Sequence, residues 1–413
     1  MKNKILLLVL ALTGFILYLN GTIAEVHNTK KEIDTCMGKV QLTLVRTLGG
    51  DEEEDENKFF KYPWDIVIDK KGMVYICDEE NHRIQVFDKD GNYKRTIGRR
   101  GNGPTDFLNP NALSIDIHGN LLVSDKMNFR IQVLTPEGKY IRGFKIVGGR
   151  ISDMNSAHKK DEIVIYSHMR TFLSRKLLFV YDKNGKQVRE IGKYVNNATD
   201  LAKASGFVFA IGENDDIYTA YHSTPYVLVF NNSGDIKMLI TYETPFEPKK
   251  VRLDKSGKNI EIEGNKYVPS ASALALDARG RIYIVGQKRH LTKKEASYSR
   301  STGIRRPGSG DSRKVPAVEN TNTDLYRLIV FDSSGKIFGA AQLNVFLDKI
   351  YIHGNRLFII DTFKAMKIYE YKLRLIKSYK QAKDRRYLGR DQSFTLRYGA
   401  PESFIIMPTY MKG

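Results

Sequence analysis

The feature that most constrains this 413-residue chain is a match to itself at a spacing of 47 residues. Pro63, Asp69, Gly72, Asp78, Asn81, Arg83, Ile84, Gln85, Val86 and Gly91 return in one register as Pro110, Asp116, Gly119, Asp125, Asn128, Arg130, Ile131, Gln132, Val133 and Gly138. A recurrence of this kind marks a repeated structural unit, as in solenoids, propellers and arrays. Inside the first unit lie four short β-rich segments, 65–69, 73–77, 83–87 and 93–97, bounded by turn residues such as Lys71-Gly72 and Asp90-Gly91. Four short antiparallel strands per unit make one propeller blade.

The later units decay but keep phase. Val180 to Gly185 follows Val133 to Gly138 by 47 residues, and Val229 to Gly234 follows 49 residues after that. A fifth unit reads 273–277, 281–285 and 326–331, and a sixth reads 349–353, 356–361 and 366–371. The expected fold is therefore all-β: six four-stranded blades over residues 40–380, with an irregular C-terminal extension over 381–413. Arg46-Thr47-Leu48-Gly49 repeats the pattern of Arg95-Thr96-Ile97-Gly98 although no blade precedes it. Such an orphan outer strand would complete the last blade and cover its open edge. Residues 373–379 are the alternative closing strand.

Pro110-x-Ala112, the run from Gly119 to Asp125, and Asn81-His82-Arg83-Ile84-Gln85-Val86-Phe87 resemble the signature of NHL repeats. The segment Arg95 to Gly98, followed by Gly101-Asn102-Gly103-Pro104 and Phe107, is similar to the linker between NHL blades. The resemblance is close in the first two units and rests on strand order and turn position in the other four. It implies a six-bladed propeller of the secreted or surface-attached bacterial type. It implies no single activity, because related propellers serve as peptide, protein, RNA or ligand platforms and in some cases as enzymes.

Lys2 and Lys4 precede an apolar run over 5–19, and Thr22-Ile23-Ala24 then offers small residues at the outer positions of a cleavage site. Fifteen helical residues reach only about 22 Å, short of the ~30 Å hydrocarbon core. Residues 1–24 are accordingly expected to be a cleaved signal peptide, with an N-terminal anchor as the alternative, and the location is expected to be extracytoplasmic. Two cysteines, Cys36 and Cys77, exclude a disulfide scaffold, although a single bridge between them is open in an oxidising compartment.

The formal net charge is +19, and two stretches hold most of it: 288–314 and 372–390 each carry +7. They point to a solvated surface or to an anionic partner, such as a glycan or a membrane surface. Residues 287–324 interrupt the fifth unit between its second and third strands. Their Ser, Gly, Lys and Arg content buries too little apolar surface to order a chain, so disorder is expected there. Alternation at Ile260-Glu261-Ile262-Glu263 suggests one extra strand.

The chain carries no Gly-x-Ser-x-Gly, His-Glu-x-x-His or phosphate-loop motif, and its histidines fall at unrelated positions of the repeat. No catalytic residue, metal ligand or cofactor is assigned. The strand starts Trp64, Asn111 and Ser272 supply no acidic ring, and Asn214-Asp215-Asp216 reads as a turn. Asp78 and Asp125 end strands whose successors open with Arg83 and Arg130, so these pairs, with Asn81 and Asn128, suit the fastening of a loop. Because those loops open on one rim of the channel, a binding role is the second reading. The candidate ligand-binding set is Trp64, Asn81, Arg83, Arg99, Arg100, Asn128 and Arg130. The expected function is non-catalytic recognition of a peptide, protein or glycan by a monomer. A channel-centred metal-dependent hydrolase or lyase is the alternative, and nucleic acid is disfavoured by export.

Overall fold

The structure is a computed structural model, and it describes residues 23–49, 58–192, 206–246, 250–257, 260–263, 270–290, 292, 322–362 and 365–376. Six sheets follow one another along the chain, each with an antiparallel set of four strands; in blades 1 to 5 that set runs in sequence order from the axis outward. Blade 1 comprises Pro63–Ile68, Val74–Asp78, Arg83–Phe87 and Tyr93–Ile97, and blade 2 comprises Pro110–Ile115, Leu121–Asp125, Arg130–Leu134 and Tyr140–Lys145. Blade 3 runs through Asp153–Ser156, Glu162–Tyr166, Leu178–Asp182 and Gln187–Ile191, and blade 4 through Phe207–Ile211, Ile217–Tyr221, Thr224–Phe230 and Ile236–Tyr242. Blade 5 has Ala271–Leu276, Ile282–Gln287, Asn322–Phe331 and Ile337–Val345. Blade 6 takes Lys349–His353, Arg356–Asp361 and Lys367–Leu375 from the end of the chain.

The fourth strand of blade 6 is Val40–Leu48, antiparallel to Lys367–Leu375 from Val40↔Leu375 to Leu48↔Ile368. The ring is thus closed by the N-terminal segment. The alternative, closure by 373–379, fails because Leu373 and Leu375 already belong to the third strand and pair with Val40–Leu48. The innermost strands of the six blades stand side by side around the axis, the first beside the sixth.

Before it closes blade 6, the N-terminal segment crosses two other blades. Ala24–Asn28 adds to blade 4 as a fifth strand, parallel to Ile236–Tyr242. A short helix, Lys30–Thr35, follows; Thr29 and Glu32 form a reciprocal capping box at its start, and its Ile33 side chain is buried. The backbone of Cys36 and Gly38 then bonds Ala340 in the outer strand of blade 5. One stretch of chain therefore spans three blades.

The recurring Asp-x-x-Gly of the repeat has a local cause. Asp69 Oδ1 accepts from the backbone N–H of Lys71 at 2.8 Å and of Met73 at 2.9 Å, while Gly72 takes φ +82°. Asp116 repeats this with His118 and Asn120, and Asp277 repeats it with Arg279 and Arg281. Each carboxylate supplies the acceptors that a tight turn leaves short, and glycine supplies the left-handed backbone. The same device joins the third and fourth strands at Asp88, Asp182 and Asp332.

Each interface between neighbouring blades has its own apolar cluster. Cys77, Ile84, Val86, Leu113 and Val123 join blades 1 and 2, and Leu122, Val133, Ile163 and Phe179 join blades 2 and 3. Cys36 and Cys77 are both buried and free, so no bridge joins them, and burial pushes the Cys77 thiol well up. The alternating Ile260–Glu263 segment pairs with Lys250–Leu253 as a two-stranded hairpin. The long basic insertion, expected over 287–324, lies between Gln287, where the second strand of blade 5 ends, and Asn322, where the third begins. Its residues 291 and 293–321, the segment 1–22 and the extension 381–413 lie outside the described residues.

Candidate functional site

The most regular polar feature of the sequence is a clasp at one face of blades 1 and 2. Asp78, fully buried at the end of the second strand, accepts from Asn81 Nδ2 at 2.9 Å and Arg83 Nε at 2.8 Å with one oxygen. Its other oxygen takes the Lys61 backbone N–H at 2.6 Å, and Arg83 Nη2 donates to Phe59 O at 2.9 Å. Burial pushes the Asp78 carboxyl up, against the pull of these donors.

Blade 2 builds the clasp again. Asp125 Oδ2 accepts from Asn128 Nδ2 and Arg130 Nε, both at 2.8 Å, and Oδ1 accepts from Leu108 N at 2.7 Å. Arg130 Nη2 donates to Gly103 O at 2.8 Å and Asp106 O at 3.0 Å, and Asn128 Nδ2 donates to Gly101 O at 2.9 Å. Gln132 grips the same linker, accepting from Thr105 N at 2.9 Å and donating to Asp106 O at 2.7 Å. The linker is fixed from below as well, because Gly98 at φ +84° admits the Phe107 ring where any Cβ would stand 2.3 Å from it.

Arg83, Asn128 and Arg130 therefore bind the protein's own backbone, and Asn81 binds the Asp78 carboxylate. Replacing Asp125 with Asn should lower unfolding free energy by about 1–3 kcal/mol, since the Arg130 bond loses its charge assistance and the new amide nitrogen must face a donor, either the Leu108 N–H or the Asn128 and Arg130 pair. Urea titration measures that loss, and hydrogen exchange should rise first at residues 99–109. Unchanged exchange in that linker would contradict the fastening role.

Trp64, Arg99 and Arg100 lie on the same face. Trp64 is half-buried against the blade 1–2 cluster, and Lys126 Nζ stands 5.4 Å from its ring centroid while pairing with Glu79 at 2.8 Å. The Arg99 side chain is 86% exposed and touches Asp106 at 3.1 Å. Arg100 bridges backbone to backbone with Phe107 and is also exposed. Phe129 in blade 2 takes φ +54° where blade 1 has His82 at φ +56°, and Arg150 lies over its exposed ring. Left-handed backbone is uncommon for bulky residues, and here the repeat imposes it twice.

The axis holds a group that sequence reasoning did not single out. Lys349 Nζ, from the inner strand of blade 6, lies 2.9 Å from both Asp65 Oδ1 in blade 1 and Asp153 Oδ1 in blade 3. Asp65 also accepts the Leu113 N–H of blade 2 at 2.9 Å, so the network joins four blades. Burial holds the Asp65 carboxyl above its usual value, with Lys349 opposing. Burial works against the Lys349 charge, yet the two carboxylates more than offset it and hold its pKa above the ordinary lysine range. One signal was available: Asp65 sits where the repeat has Ala112. The partners, Asp153 and Lys349, lie in units too degenerate for that comparison.

Among the described residues no group of three or more His, Cys, Asp or Glu side chains could hold a metal ion. Asp215 instead accepts the His158 N–H at 2.6 Å, and Asp216 pairs with Lys237 at 2.5 Å. His118 is exposed and meets Asp161 at 3.2 Å, and His222 Nδ1 lies 2.6 Å from Ala271 O.

A family model described as a 6-bladed beta-propeller, DUF5128, matches residues 55–147. That stretch contains blades 1 and 2, where the repeat is clearest. The protein lin-41 of Caenorhabditis elegans is 52% identical over 31 residues, which is 8% of this chain and 3% of that protein. The chain thus spans only a small part of the curated relative that it matches. Among solved structures, a member of the DUF4221 family from Bacteroides vulgatus aligns with TM-score 0.53 and 12% identity, over 82% of this chain and 99% of its own. A putative exported protein from Bacteroides fragilis aligns with TM-score 0.53 and 11% identity, over 86% of this chain and 100% of its own. At such identities the likeness is one of fold.

Proposed function

We propose that this six-bladed β-propeller is an extracytoplasmic, non-catalytic recognition module whose loop face on blades 1 and 2 binds a peptide, protein or glycan. The observation that carries this reading is the pair of clasps: buried Asp78 and Asp125 hold the linkers and loops of that face from within. Loops fixed before a partner arrives lose little entropy when it docks. Over this rigid frame the face presents Arg99, Arg100, the Trp64–Lys126 pair and the exposed ring of Phe129. Export is supported by Lys2, Lys4, the apolar run and Ala24. The Bacteroides fragilis neighbour, itself described as exported, is consistent with it.

A channel-centred hydrolase or lyase is supported less well. The two carboxylates gathered at the axis are already neutralised in part by Lys349, and the described residues add no third ligand-forming group. The test is binding of the protein lacking residues 1–24 to immobilised peptide and glycan panels at about 0.01 and 0.15 M salt, where the Debye length is ~30 and ~8 Å. The double variant Arg99→Glu/Arg100→Glu should weaken the ligand found with unchanged melting, and Trp64→Ala should weaken it too, at some cost in stability because that ring also packs on the blade 1–2 cluster. Turnover of an ester or lactone that Asp65→Asn or Asp153→Asn abolishes would replace the binding reading with the enzymatic one.

A further inference from the structure

Among the described residues the three most exposed large apolar residues, Val147 at 81%, Leu173 at 70% and Met169 at 57%, gather around one feature. The second and third strands of blade 3 are joined by a short helix, His168–Ser174, which lies against the linker from blade 2. Gly149 permits that approach, since a Cβ on it would stand 2.8 Å from Ser167 Oγ, and Gly148 before it takes φ +90°. Between linker, helix and strands remains an open cleft of about 450 Å³, mostly apolar, into which Lys145, Val147, Arg170, Leu173 and Tyr181 face. That volume is in the range of small-molecule sites.

The charged side chains that line the cleft, Lys145 and Arg170, are both basic, and Glu190 stands behind Gln187. The Arg170 guanidinium lies 4.0 Å over the buried Phe179 ring and donates to Tyr181 Oη and Gln187 Oε1, all neutral partners. Among the described residues neither Arg170 nor Lys145 forms an ion pair. A cation stacked on an aromatic floor and held by neutral acceptors keeps its attraction for an anion, and a guanidinium suits a carboxylate in particular.

We propose that this cleft binds a carboxylate carried on an apolar body. The carboxylate would meet Arg170 and Lys145, and the body would cover Leu173 and Val147. A free organic acid and the C-terminal end of a peptide with an apolar last residue share that chemistry. The cleft has no residue in common with the loop face above, so its failure leaves that reading standing.

The experiment titrates the protein, by calorimetry, with 4-phenylbutyrate and with a short peptide ending in leucine, each beside its uncharged amide. At least one of the two acids should bind, and its amide should bind roughly ten- to a hundredfold more weakly, the range for a hydrogen bond to a charged group. Arg170→Gln should weaken the acid by a similar factor. Val147→Glu, at an exposed position, should also weaken it without lowering the melting temperature, which separates binding from folding. Binding of only the free acid identifies a small organic acid, and binding of only the peptide identifies a chain terminus; both support the proposal. Neither acid binding at millimolar concentration, amides binding as tightly as acids, or affinity unchanged in both variants would overturn it.

Discussion

A chain that begins at residue 58 should fail to fold. Removing Val40–Leu48 strips the third strand of blade 6 of its outer partner from Ile368 to Leu375. It also exposes Leu373, which packs with Val40 in the blade 5–6 cluster. At about 0.5–1.5 kcal/mol net for each hydrogen bond, a nine-residue strand is worth several kcal/mol before any apolar burial. Whole domains have only about 5–15 kcal/mol. The truncated protein should therefore lose its cooperative melt and aggregate through the open edge. Circular dichroism and light scattering read both effects, and a peptide of residues 38–49 added in trans should partly restore the folded state. A truncated chain that melts like the full one would show that closure contributes little.

Lys349→Met should cost about 3–5 kcal/mol at neutral pH, because it leaves two carboxylates in the axis without their cation. The sign of its pH dependence follows from Asp65. Burial already raises that carboxyl above the ordinary 3.8, and loss of the lysine raises it further. A group with a raised folded pKa lets the native state hold a proton that the unfolded chain releases. The penalty is thus absent below the unfolded value and grows as pH climbs through the folded one. The gap between variant and wild type, measured in urea, should be largest near pH 7 and shrink towards pH 4. Asp65→Asn in the same chain should recover part of the loss. An equal gap at both pH values would mean that packing of the lysine stem, rather than charge, is what the substitution removes.

The architecture was legible because the repeat writes each local device twice. Asp69 with Gly72, and Asp116 with Gly119, expose the turns. Asp78 with Arg83, and Asp125 with Arg130, expose the clasps, whose geometry matches the pairing that the spacing suggested. Val40–Leu48 was readable as a closing strand for the same reason, since its Arg-Thr-Leu-Gly ending copies that of blade 1. The axial Asp65–Lys349–Asp153 group was not legible, because it joins residues far apart in sequence that recur in no other unit. The Arg170 cleft was hidden similarly: its α-helix has no counterpart in blades 1 and 2, where the repeat is clearest, and its walls come from two blades. What repeats in such a chain reports the frame, and what breaks the repeat holds the individuality.

The strand Ala24–Asn28 sets an order of events. Ala24 is in register with Met238 and Glu25 with Leu239, so the peptide bond between them is part of a paired strand on blade 4. Proteases cut where backbone is exposed and free to be drawn out. If a signal peptidase cuts after Ala24, it must act before that strand docks, while the first segment of the mature protein is still loose. Processing would then come ahead of the final lashing of blades 4, 5 and 6, and a chain that folded too early would shield its own cleavage site.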